Sequence, residues 1–107
     1  MKILAIESAT LSGGAALLDG DRLVGETTVS IALTHSERLM VVVDRLLTDC
    51  GWSAKELEGL AVSIGPGSFT GLRVGIATVK GLALALGLPV AMFPVMFAIP
   101  RTAGWLA

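Results

Sequence analysis

Gly59-Leu60-Ala61-Val62-Ser63-Ile64-Gly65-Pro66-Gly67-Ser68-Phe69-Thr70-Gly71-Leu72-Arg73-Val74-Gly75 decides the fold. The run Gly59 to Ile64 is almost wholly apolar, as a strand buried on both faces of a sheet must be. Gly65-Pro66-Gly67-Ser68 cannot continue that strand and reads as a structural bend. From about Phe69 the apolar residues recur at helical spacing as far as Leu86, where Gly87 and Pro89 stop the helix. Val90 to Phe93 then reads as another strand. A strand, a crossover helix and a second strand are the ingredients of a parallel pair.

Upstream of this unit, Lys2 to Ile6 is a short apolar run that suits a central strand. Gly13 to Leu18 and Arg22 to Val29 are two more strands, joined across Asp19-Gly20 as a hairpin. From Thr34 the period changes. Leu39, Val43, Leu46 and Cys50 fall on one helical stripe, widened by Met40 and Leu47, while Arg38, Arg45 and Asp49 point away. Thr34-His35-Ser36-Glu37 has the form of a capping box at the start of this helix, and Gly51 ends it. A second box, Ser53-Ala54-Lys55-Glu56, sets one short helical turn. The expected order is β-β-β-α-β-α-β, a mixed sheet of about five strands in the α/β class, with the topology of a ribonuclease-H-like lobe. Residues 1–91 are read as one domain and 92–107 as a divergent or truncated tail.

Composition excludes several functions. The chain has 107 residues, 53% of them hydrophobic, which is enough for a packed core. Its 8 basic residues are scattered and the formal net charge is -1, so no basic stripe is present to bind nucleic acid through phosphates. The single Cys50 cannot form an internal disulfide, and a reducing cytoplasm fits that usage. Gly81 to Pro100 carries no charge over about the length of a membrane span, but Pro89, Pro94 and Pro100 interrupt it, so a membrane span is not expected.

The residues that carry chemistry are sparse. Glycines between a strand and a helix can leave N–H groups open to an anion. Yet Gly71 is followed by Leu72 and Arg73, so the lysine and hydroxyl of a phosphate-binding Walker loop are missing. Capping by Ser68 or Thr70 with a close bend is the simpler reading. His35 is the only histidine, which rules out a multi-histidine metal site, and a helix-start role suits it better than general-base work. Glu7 after the first strand could hold magnesium, with Ser8 and Thr10 on a phosphate, but one carboxylate alone is weak. No catalytic residue, metal or cofactor is expected. Gly71, Gly75 and Thr78 share one side of the second helix, where another helix could approach closely; spacing leaves open whether the neighbour is the protein's own sheet or another subunit. Glycine in a helix interior costs about 1 kcal/mol relative to alanine, so Gly71, Gly75 and Gly81 call for a packing reason.

Ile3-Leu4-Ala5-Ile6-Glu7-Ser8-Ala9-Thr10, then His35-Ser36-Glu37-Arg38-Leu39, and above all Ile64 to Gly75 resemble the TsaB (YeaZ) family of tRNA threonylcarbamoyladenosine biosynthesis proteins, in order and spacing, from Met1 to about Val90. The resemblance implies an actin-like fold of two ribonuclease-H-like lobes. It also implies a non-catalytic scaffold that activates a homologous catalytic subunit, TsaD, alongside an ATPase, TsaE, and touches tRNA only indirectly. The family's pairing surface uses two long helices, here Ser36 to Cys50 and Phe69 to Leu86. On that footing Ser36, Leu39, Met40, Val43, Leu47, Gly71, Gly75 and Thr78 are the expected partner interface, and a homodimer of this chain would imitate the heterodimer. Glu7 stands where the family usually has aspartate, and the family pattern is lost after Ala91. An ATP-binding sugar-kinase-like enzyme and a glycoprotease-like peptidase are the competing readings.

Overall fold

The computed structural model describes residues 1–7, 14–28, 36–63 and 69–93. Strands β1 (Lys2–Glu7), β2 (Gly14–Asp19) and β3 (Arg22–Thr28) form an antiparallel meander. Helix α1 (Ser36–Cys50) and a 3-10 turn (Ala54–Glu56) lead to β4 (Gly59–Ser63), and helix α2 (Phe69–Leu86) leads to β5 (Val90–Phe93). Strand order is β3-β2-β1-β4-β5, with β4 parallel to β1 and β5 parallel to β4. This is the expected ribonuclease-H-like arrangement. Its last strand runs two residues beyond position 91. Among the described residues no helix is long and apolar enough to cross a membrane.

Register builds the core in two rows. Leu17, Leu4, Leu60 and Val90 stand side by side across β2, β1, β4 and β5, as do Ala15, Ile6, Val62 and Met92. Because side chains alternate along a strand, both rows face the same way. Leu39, Val43, Leu46 and Leu47 of α1 and Val79 of α2 close over them to form the buried cluster. Truncating one of these leucines to alanine costs about 2–5 kcal/mol in comparable cores.

The helix ends are set by backbone chemistry. After α1, Gly51 takes φ 73°, its N–H donates to the Thr48 carbonyl and Trp52 N–H donates to Leu47. This pair of bonds is a Schellman stop. After α2, Gly87 at φ 67° and Leu88 both donate to the Ala83 carbonyl. The hairpin turn differs by one residue from expectation. Asp19 pairs with Arg22, so Gly20 and Asp21 are the two turn residues.

One irregularity carries the α1 contact. The β2–β3 register shifts between Leu17 and Leu18, which pair with Gly25 and Leu23 and leave Val24 as the extra residue of a bulge. Gly25 then faces α1, where a Cβ would lie 2.5 Å from Cys50 Sγ and 3.5 Å from Leu46 Cδ1. Cys50 is half-buried against the core and is a free thiol.

A polar clamp fixes where β4 begins. Ser53 N–H donates to Glu56 Oε2 at 2.6 Å, and Lys55 N–H to Ser53 Oγ at 3.3 Å, the reciprocal capping box read from the sequence. Lys2 Nζ donates to Glu56 Oε1 at 2.9 Å and lies 4.8 Å from the Trp52 ring centre. Lys2 N–H donates to Glu58 Oε1, and Glu58 N–H returns to the Lys2 carbonyl at 2.8 Å. The turn is thereby tied to the start of β1, one residue before Ile3 pairs with Gly59.

Gly25→Ala is expected to lower stability by about 1–3 kcal/mol through overlap with Cys50. Added to Cys50→Ala, the same change should cost much less; urea midpoints at constant slope measure the coupling, and simple additivity would refute the contact. The Ser53 amide and then Lys2 hold the Glu56 carboxyl below its usual range, while Glu56 holds the Lys2 ammonium above its own. A lowered acid adds stability above its unfolded pKa and loses it as pH falls. A raised base adds stability below its unfolded pKa and loses it as pH rises. The clamp should therefore be strongest between about pH 5 and 10. Thermal melts of Glu56→Gln should show a flatter acid limb than the parent, with the difference shrinking in high salt because both groups are exposed.

Candidate functional site

Helix α1 divides its residues cleanly. Leu39, Val43 and Leu47 belong to the lobe's own core rather than to an open face, because the register of α1 over the rows turns them toward the sheet. Met40 and Val41 are exposed, Val41 at 65%. Of the apolar residues expected to meet a partner from α1, Met40 is the one left outward. Val41, which the stripe did not include, joins it because it follows Met40 onto the solvent side.

Along α2, Gly75 and Thr78 are buried. The Thr78 hydroxyl donates to the Val74 carbonyl one turn back at 2.8 Å, so its polar group is satisfied inside the helix. Gly71 lies in the second position after Phe69 in α2, and Ser36 opens α1. The loop residues Gly65, Pro66, Gly67 and Ser68, together with His35, Ser8 and Thr10, lie outside the described residues.

Between the helices Met40, Ala77, Thr78, Gly81 and Leu82 line a shallow apolar groove of about 300 Å³. Gly81 is on its exposed side, and a Cβ placed there would meet no atom within 4 Å. The packing reason sought for this glycine is therefore not inside the described lobe. Sequence reading singled out Gly81 only for its cost; what it lacked was the outward direction of the residue.

A second place with chemical potential is the carboxyl end of the parallel strands, where open α/β sheets hold ligands. Glu7 ends β1 and Ser63 ends β4, and both side chains are buried there. Among the described residues no group of three histidine, cysteine or acidic side chains stands close enough to hold a metal ion.

Known proteins with this arrangement are specific. A family model described as TsaD, tRNA N6-adenosine threonylcarbamoyltransferase, matches residues 29–98. The chain is 39% identical over 90 residues to the tRNA threonylcarbamoyladenosine biosynthesis protein TsaB of Bacillus subtilis, covering 84% of this chain and 39% of that one. It is 40% identical over 89 residues to TsaB of Escherichia coli, covering 83% and 38%. YeaZ from Pseudomonas aeruginosa superposes with a TM-score of 0.80 at 34% identity, covering 87% of this chain and 43% of that structure.

The chain belongs to the TsaB/YeaZ family. It spans about two-fifths of the length of the TsaB relatives it matches. The transferase model covers both long helices, α1 and α2, from residue 29 onward.

The open glycine gives a direct test within this TsaB-family lobe. Gly81→Ala should stabilise the isolated chain by about 0.5–1 kcal/mol, since alanine is the better helix former and meets nothing. Denaturant titration reads the gain; a loss of stability would mean that Gly81 is packed after all.

Proposed function

We propose that this chain is a non-catalytic scaffold in the making of N6-threonylcarbamoyladenosine in tRNA, pairing its lobe of residues 1–91 with a TsaD-type catalytic subunit. The observation that carries the reading is the apolar groove between α1 and α2, with Met40 exposed at its rim and Gly81 open to the outside. A helix glycine costs stability and gains it back only where a neighbouring backbone comes close. Support also comes from the relatives, which are named for this biosynthesis, and from the transferase family model, which matches the same two helices. Related helix pairs can meet face to face about a two-fold axis and bury both grooves in a four-helix contact.

In this reading the chain does no chemistry. Its part is to hold the partner's lobe in its working position, with a TsaE-type ATPase in the same assembly and tRNA bound by others. Without its partner the chain offers the same groove to a second copy, so a homodimer is the expected resting form. Cytoplasmic location follows from the process. The competing reading, nucleotide binding, draws on the buried Glu7 and Ser63 at the strand ends.

Co-elution decides between them. The chain should co-elute with the TsaD-type subunit. Met40→Glu and Gly81→Leu should each weaken that association at least about tenfold, because a charge or a bulky side chain then sits in a desolvated contact. Light scattering should give more than one chain's mass for the parent and less for the variants. Low-micromolar ATP binding by the chain alone, with no association, would favour the competing reading.

A further inference from the structure

Helix α2 has a second apolar flank, on the side away from α1. There Val62, Val79, Ala83, Leu84, Val90 and Met92 are among the residues that line a groove of about 410 Å³ between α2 and β5. Leu84 is 80% and Met92 65% exposed. The groove is the outcrop of the core itself. Val90 and Met92 are the β5 members of the two rows that Leu4, Leu60, Ile6 and Val62 carry through the buried centre. Over β1 and β4 the helices close those rows, whereas over β5 the cover is partial and Val90 and Met92 stay 37% and 65% exposed.

We infer that this groove is the docking site of the chain's own segment 94–107. That segment reads Pro94-Val95-Met96-Phe97-Ala98-Ile99-Pro100-Arg101-Thr102-Ala103-Gly104-Trp105-Leu106-Ala107, with a single charged residue, Arg101. Its composition is that of a core element rather than a solvated tail. It leaves β5 directly after Phe93, one residue past Met92 in the groove wall. Pro94, the first residue after β5, has no N–H to donate to a neighbouring strand. Reach is ample. From Ile76 to Leu88 the groove follows α2 for about 18 Å at helical rise, whereas fourteen extended residues span up to about 46 Å. Tethering also favours this occupant over a second copy, since a short linker holds its segment at an effective concentration in the millimolar range. Val95 to Ile99 are the residues that fill the groove, with Phe97 as the anchor.

Arg101 is the one tryptic site in the segment and makes docking measurable on the full chain. Cleavage after Arg101 should be at least about tenfold slower in the chain than in a synthetic peptide of residues 94–107, because a docked segment must first open. Leu84→Asp in the groove wall and Phe97→Asp in the segment should each abolish that protection. The second variant leaves α2 untouched, so the result does not depend on the first variant's folding. Equal cleavage of chain and peptide, or a response to only one variant or to neither, overturns the inference. So does protection that rises with chain concentration, which would assign the groove to a second copy.

Discussion

The two apolar rows across the sheet, Leu17–Leu4–Leu60–Val90 and Ala15–Ile6–Val62–Met92, set the terms for the rest of the structure. Five strands at about 4.8 Å spacing are some 24 Å wide, and two helices about 10 Å across cover roughly 20 Å of that. Burial of α1 and α2 residues is therefore decided by where the helices sit over the rows. Leu39, Val43 and Leu47 are drawn onto the centre, while Met40 is left outside and β5 is left only partly covered. Both candidate surfaces arise from this mismatch between the sheet and its helical layer.

Much of the fold was legible because its signals are local. The short apolar runs, the capping box at Ser53 and the glycine stops at Gly51 and Gly87 each depend on a few neighbouring residues, and each took the expected form. Features that depend on distant partners were not legible. Nothing near Gly25 in sequence announces that Cys50 will lie against it, and the bulge at Val24 is set by the twist of the β2–β3 pair. The stripe on α1 shows the same limit. Periodicity found the apolar side but could not say that its centre faces the sheet and that Met40 forms its outer border.

The candidate site is legible in part for a related reason. The glycines of α2 advertise a close approach, but their cost is blind to direction. Gly75 faces inward and Gly81 outward. An inward glycine is explained by the lobe's own packing; an outward one, with open space where its Cβ would be, needs a neighbour from elsewhere. That distinction turns a general expectation of helix packing into a specific surface.

The character of α2 is the last link. Among its eighteen residues only Arg73 and Lys80 are charged, so it lacks the broad polar face of a helix that borders water. On its wheel Val79 and Thr78 point to the core. Ala77 and Gly81 line the groove beside Met40, and Ala83 and Leu84 line the one beside β5. A helix of this composition is suited to neighbours on three sides, and the sheet supplies one. The flank with the open glycine suits another helix, because backbones can meet there. The flank walled by Leu84, Val90 and Met92 has no such track and is shaped by long side chains, which suits inserted apolar residues. The two flanks thus call for different occupants, and filling one leaves the other accessible.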